Sequence, residues 1–263
     1  MASSMMLGLI YSPTPVVMIM SVMTLAFLGN NGITEMRGKQ LQYSKFWNVG
    51  SHKSTFKVSG RTGMFMAYSP AFLFGVASFF LFPNEGLSRF LLVKSALTIH
   101  YFKRILEVLF IHKYSGPMFV DIATMISLNY FINTAFMIYA QNLNQGLQEP
   151  QVDLKYLGIV IFLMGLSGNF YHHYLLSSLR GDGMKEYKIP KGGLFNLVIC
   201  PHYLFEILGF IGVSCIAQTL SVVSFTLGST MLLMGRSYGT RRWYLSKFDD
   251  FPKDVKALIP FVF

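Results

Sequence analysis

Between Lys191 and Arg236 lie 44 residues that carry a single charge, Glu206. As continuous helix at 1.5 Å per residue this run would measure roughly 66 Å, about twice the thickness of a bilayer's hydrocarbon core. Two crossings with a tight turn near Gln218 account for that length, and one does not. The same bias holds throughout, with 52% of the 263 residues hydrophobic and only 13% charged. A soluble domain carries roughly 25% charged residues. So little polar surface cannot cover a water-soluble globule, and the surplus apolar surface must face lipid. The expected fold class is all-α, a polytopic membrane protein with seven transmembrane helices enclosing a cavity.

The first span is read as Met6–Leu28, and five more apolar runs fall near 63–82, 90–111, 119–140, 154–176 and 194–216, with a seventh at 219–235. No charged side chain occurs in the first 34 residues. The basic leader of a cleavable signal peptide is therefore missing, and the first run is expected to stay in the membrane. Nineteen of the 22 Lys and Arg residues fall on one side of these spans, leaving Arg89, Lys94 and Lys155 elsewhere. That asymmetry places the N-terminus in the lumen or outside and the C-terminus in the cytosol. The net charge of +10 sits between apolar runs and not along one basic face, so nucleic acid is not the expected partner. The chain reads as one domain, a first span with a basic cytosolic loop over 1–61 and a six-span region over 62–263. Cys200 and Cys215 lie in apolar stretches without a CxxC partner, which points to buried thiols and not to a disulfide or zinc site.

Ionisable groups inside spans cost on the order of 2.5–3.5 kcal/mol each at the bilayer centre, so they face a cavity or a partner. Three helices carry them. His100, Lys103, Arg104 and Glu107 recur at spacings of three and four and share a helical face. An interfacial helix end with a Lys103–Glu107 pair would give the same pattern. Asn169, His173 and Arg180 share a face of the fifth span, and His202 and Glu206 a face of the sixth. Paired histidines at 172 and 173 raise the idea of a di-iron site, but six histidines in all are too few for such clustered boxes, and no metal is expected. Helix-lined polar cavities of this kind suit a cofactor with amide and phosphate groups. Arg236, Arg241, Arg242, Trp243 and Tyr244 interleave cations with rings. They read either as a headgroup-binding segment or as a roof over an anionic nucleotide.

Together these stretches resemble the steroid 5-alpha-reductase family, which includes very-long-chain enoyl-CoA and polyprenol reductases. The resemblance spans roughly residues 60–263. It rests on the runs from His100 to Arg104, Gly168-Asn169, Ile189 to Phe195 and Cys200 to Glu206, and on the closing run from Tyr244 to Phe263. It implies an endoplasmic-reticulum enzyme that uses NADPH to reduce a carbon–carbon double bond conjugated to a carbonyl in a lipid. It further implies that Tyr101 binds the substrate carbonyl and that Asn169, His173, Arg180, His202, Glu206, Arg236 and Tyr244 surround the cofactor. Tyr68 stands where steroid reductases carry a carbonyl-gripping Glu, and a phenol can also donate a hydrogen bond.

A 3-oxo-Δ4-steroid is the favoured substrate, with a trans-2-enoyl-CoA as alternative, since the run from Lys103 to Lys113 looks nearer the enoyl-CoA branch. Two other classes are a membrane methyltransferase of the isoprenylcysteine type and a non-catalytic seven-span protein. The methyltransferase motif runs His-Pro-x-Tyr, whereas the order here is Pro201-His202-Tyr203. Neither class gives Tyr101 a role.

Overall fold

The computed structural model describes residues 8–46, 56–83, 88–179, 181 and 186–263. Among them are seven α-helices: α1 Pro15–Met36, α2 Gly60–Leu81, α3 Arg89–Leu106, α4 Val120–Asn142, α5 Lys155–Ser178, α6 Pro201–Ala217 and α7 Leu220–Lys247. Polar residues mark the starts. Thr14 Oγ1 accepts from the Val17 amide with Pro15 in the first turn, Ser59 Oγ accepts from Thr62 N, and Ser88 Oγ from Leu91 N. Each bond satisfies an amide that the helix itself leaves unpaired. A two-stranded antiparallel ribbon, β1 Lys57–Ser59 against β2 Pro117–Phe119, joins the starts of α2 and α4.

Four helices, α1, α2, α4 and α5, are long and apolar enough to cross a membrane. They present apolar residues outward, with Val16, Ile19, Val22 and Met23 of α1 60–64% exposed. The other three carry more polar freight. α3 holds Arg89, Lys94, Lys103 and Arg104, α6 has 17 residues, and α7 buries Ser221, Ser224, Thr226 and Ser229.

Three expected spans shift. The first helix is not Met6–Leu28 but starts at Pro15, where Thr14 caps it, and continues to Met36, because Glu35 finds a buried cation on α7. The sixth begins at Pro201 and not near 194. Gly192 and Gly193 take φ of 87° and 51°, and the backbone of 197–200 pairs with 256–257 of the returning tail. The seventh runs past 235 to Lys247, so its 28 residues span roughly 42 Å and outreach a hydrocarbon core.

Close helix pairs depend on missing side chains. α5 lies against α6 where a Cβ on Gly165 would stand 2.3 Å from the Gly209 amide nitrogen. α1 lies against α7 where a Cβ on Gly235 would stand 2.2 Å from the Gly32 carbonyl oxygen. Small residues at such contacts let backbones approach, which in a membrane is the main source of helix affinity. The central core joins Leu28, Leu97, Met137, Phe162, Phe210 and Phe225 from six helices.

Beyond that core, away from the cavity described below, Arg89 ties one end together. It donates to Glu149, Asp153, the Ile216 carbonyl and Gln218 at 2.6–2.8 Å. Gln218 occupies the left-handed turn between α6 and α7 at φ 48°. Its side chain bonds Leu9 O, Val152 O and Leu154 N. Those bonds offset the cost of a left-handed non-glycine residue.

Candidate functional site

Successive helices enter and leave one cavity in alternation. Its walls come from the ends of α1, α3, α5 and α7 and the beginnings of α2, α4 and α6, with about 1640 Å³ of empty space including its open mouth. Lys45, Arg104, Lys113, Lys188 and Arg236 all line this cavity. Exposed Lys113 and Lys188 stand at the mouth.

One wall holds a buried charge network contributed by α2, α3, the turn after α3, and α5. Arg104 Nη1 donates to Glu107 Oε2 at 2.8 Å, and Arg104 Nη2 donates to the Tyr68 hydroxyl at 2.6 Å. Lys103 Nζ lies 2.8 Å from Glu107 Oε1, and His173 Nδ1 lies 3.1 Å from the same oxygen. The expected Lys103–Glu107 pair thus forms, but Glu107 is only 1% exposed, so it is part of a buried site and not a surface helix end. After Glu107 the backbone changes to a π-turn, Glu107–Ile111. Such turns recur at functional sites.

On the neighbouring wall Asn169 joins α5 to α6. Its Oδ1 accepts from Lys103 Nζ, and its Nδ2 donates to the His202 carbonyl at 2.7 Å, with Glu206 Oε2 3.4 Å away. His202 Nδ1 is buried without a hydrogen-bond partner among the described residues. The opposite wall is the segment after α1. Arg236 Nη1 donates to both Glu35 oxygens at 2.9 and 3.2 Å and to the Leu41 carbonyl at 3.1 Å, and its guanidinium lies 4.2 Å from the Tyr43 ring centroid. Arg236 therefore lines the cavity chiefly as a fastener for residues 41–46. Lys45 faces the Tyr244 ring at 5.3 Å, and the Tyr244 hydroxyl reaches Lys188 O at 3.4 Å.

Of the residues singled out from the sequence, Tyr68, His173, His202, Glu206, Arg236 and Tyr244 line the cavity. Asn169 backs it through His202 and Lys103. Tyr101 is 1% exposed and stands one layer behind, tilted against Tyr68 and Tyr130 at 6.4 and 5.7 Å between ring centroids. Its hydroxyl faces that of Thr134 on α4, away from the cavity. Arg180 lies outside the described residues. Sequence reasoning missed Tyr130, which stacks on Tyr68 at 5.4 Å, along with Tyr43, Lys45, Tyr114 and Tyr203. A tyrosine in an apolar span gives no periodic signal. The paired need of Glu35 and Arg236 could have been noticed, since Glu35 is the first charge in the chain.

Glu107, His112 and His173 bring three ligand-type atoms within 4.8 Å of one another. Glu107 is already neutralised by Lys103 and Arg104, and a divalent cation would have to displace both or bear their repulsion. The group reads as an ion-pair network. Burial, reinforced by the Arg104 charge, pushes the His112 imidazole from 6.5 down to about 3. The stability its neutral form contributes is full above the unfolded value near 6.5 and is lost as pH falls toward 3. Thermal denaturation in detergent at pH 7 and pH 4.5 is expected to show His112→Gln losing less on acidification than the parent. Equal losses would remove His112 from this account.

The site-bearing part of the chain has recognisable relatives. Residues 117–263 match the family model for 3-oxo-5-alpha-steroid 4-dehydrogenase. Steroid 5-alpha-reductase DET2 of Gossypium hirsutum is 34% identical over 206 residues, 71% of this chain and 76% of that protein. The very-long-chain enoyl-CoA reductase of Dictyostelium discoideum is 36% identical over 173 residues, 63% of this chain but 55% of its own length. The 3-oxo-5-alpha-steroid 4-dehydrogenase 2 of Macaca fascicularis is 32% identical over 169 residues, 63% of this chain and 65% of its own. The chain therefore spans between about half and three quarters of these relatives. A cavity ringed by ionisable helix ends, apolar helices able to cross a bilayer and these matches converge: the chain belongs to the steroid 5-alpha-reductase family of membrane oxidoreductases.

Proposed function

We propose that the chain reduces the carbon–carbon double bond conjugated to a carbonyl in a lipid substrate, with NADPH as the reductant. The favoured substrate is a 3-oxo-Δ4-steroid giving the 5α-reduced product, and the alternative is a trans-2-enoyl-CoA. The observation that carries this reading is the convergence of Tyr68, Arg104, His173, His202 and Glu206 on one cavity flanked by apolar helices. The same reading takes all seven helices as spans in the endoplasmic-reticulum membrane, with the cavity at the cytosolic end.

The residues present fit a nicotinamide dinucleotide. His202 Nδ1 is a buried polar atom without a partner among the described residues, and Glu206 adds a carboxylate to the same wall, which Asn169 braces from behind. Lys113 and Lys188 at the mouth suit phosphates, and the Tyr203 and Tyr244 rings line the same cavity. NADPH, when bound, supplies a hydride to the substrate carbon β to the carbonyl.

The electron pair of the double bond then moves toward the carbonyl oxygen, and the chain's task is to hold that negative charge. A hydroxyl of the Tyr68, Tyr101 and Tyr130 cluster donates a hydrogen bond to this oxygen. A phenol with a reference pKa near 10 keeps its proton at neutral pH. Inside a dry cavity one such donor contributes about 2.7–4 kcal/mol to the transition state. The α-carbon takes a proton, ultimately from water, which completes addition of two hydrogens across the bond.

The test is hydride transfer. Microsomes containing the chain, given NADPH labelled at the transferable hydrogen, are expected to place label on a Δ4-3-ketosteroid or an enoyl-CoA, and the better acceptor fixes the substrate class. Methyl transfer from S-adenosylmethionine, or binding without turnover, would overturn the proposal.

A further inference from the structure

We propose that Arg104 is a positioning residue that turns the Tyr68 hydroxyl into the hydrogen-bond donor of the site, an inference that rests on the reductase reading above. A phenol has one proton to give and lone pairs to receive. Arginine can only donate, so the 2.6 Å contact from Arg104 Nη2 to Tyr68 must fill a lone pair of the phenol oxygen. The Tyr68 proton cannot point back along that line. No other polar partner for this hydroxyl occurs among the described residues, and Tyr68 lines the cavity. Its proton is therefore available to a carbonyl oxygen entering there. A charge-assisted bond also polarises the O–H it feeds, which strengthens the next bond in the chain.

The guanidinium is itself fixed. Glu107 accepts from Nη1 at 2.8 Å, and His173 Nδ1 lies 3.0 Å from the same nitrogen. On the other side Tyr130 stacks flat on Tyr68, with 15° between ring planes. The phenol is thus held at its oxygen by Arg104 and at its ring by Tyr130. Tyr101 has no such arrangement. It does not line the cavity, and among the described residues its hydroxyl faces Thr134 and no cation. The geometry gives Tyr68 the donor's place and Tyr101 a supporting one.

Because donor and positioner act as one unit, their losses should not add. The full chain in detergent is assayed with NADPH and whichever acceptor the parent reduces, and NADPH affinity is followed by quenching of intrinsic fluorescence. Tyr68→Phe is expected to lower kcat by about 100-fold with NADPH affinity within about twofold, and more than Tyr101→Phe does. Arg104→Lys keeps the charge but not the fork, and is expected to lower kcat with NADPH affinity held. Adding Arg104→Lys to Tyr68→Phe is expected to cost nothing further.

Multiplying losses in the double variant would overturn the inference. So would full turnover in Tyr68→Phe, or a larger loss from Tyr101→Phe. Should Arg104→Lys fail to fold, the comparison of Tyr68→Phe with Tyr101→Phe still decides whether Tyr68 is the donor. A parent chain that moves no hydride to either acceptor class would overturn the reductase reading and this inference with it. An active parent with additive variants would overturn the inference alone.

Discussion

Replacing Arg236 with methionine is expected to destabilise the chain by about 3–5 kcal/mol, because it leaves the Glu35 carboxylate buried and unpaired. Glu35 is 1% exposed and Arg236 4%. The pair lies at 2.9 Å, and the same carboxylate also accepts from the Leu41 amide at 2.8 Å. Losing the guanidinium also frees the Leu41 carbonyl and the Tyr43 ring, so residues 41–46 should leave the cavity wall. Activity is then expected to fall even at temperatures where Arg236→Met remains folded. Glu35→Leu alone should be similarly harmful, whereas the double variant Glu35→Leu/Arg236→Met should recover much of the stability, since a pair replaced by apolar groups leaves no orphaned charge. Thermal unfolding in detergent checks this directly. A double variant as unstable as the sum of the singles would show that packing, and not charge pairing, holds this wall.

The second large effect is expected from Gly165→Leu. A Cβ there meets backbone, 2.3 Å from Gly209 N and 2.5 Å from Gly209 Cα, and no rotamer of a neighbour can relieve it. The two helices must part. Asn169 follows Gly165 by one turn on α5, and His202 and Glu206 precede Gly209 on α6, so parting the helices breaks the Asn169 bridge that closes the cavity wall. Misplacing groups by about 1 Å can cost about 100-fold in rate. Turnover is therefore expected to fall by about that factor or more, with the variant still extractable from membranes and helical by circular dichroism. A variant with parental kcat would mean that α5 and α6 can separate without disturbing the site.

Much of this site was legible in the sequence because a membrane makes polar residues conspicuous. Glu107, Asn169, His173 and Glu206 each interrupt an apolar run, and helical spacing puts them on inward faces. The structure brings them together as that spacing implies. Composition was equally telling for the helical fold, since a backbone in lipid must satisfy its own hydrogen bonds and unbroken apolar runs of about 20 residues do so as helices. What escaped was set by contacts distant in sequence. Nothing local shows that Arg236 would be spent on Glu35 and not left facing a ligand, or that residues 197–200 would pair with 256–257 and shorten α6. Tyr130 was invisible for the opposite reason. Its role depends on a ring face, and an aromatic residue in an apolar helix carries no mark of that use. Tyr101 stood out through the resemblance, yet its depth behind Tyr68 depends on the tilt of three helices.

The contact between α1 and α7 has a consequence for how the chain is made. Glu35 and Arg236 are 201 positions apart, and the Gly32 and Gly235 contact spans nearly the same distance. A ribosome delivers residues in order, so α1 is made with its carboxylate uncompensated until α7 follows. Five intervening helices must leave that seat vacant. Docking α1 on α7 therefore has to wait until α2 to α6 have been made, and a chain halted before α7 would carry an acidic group in search of a base.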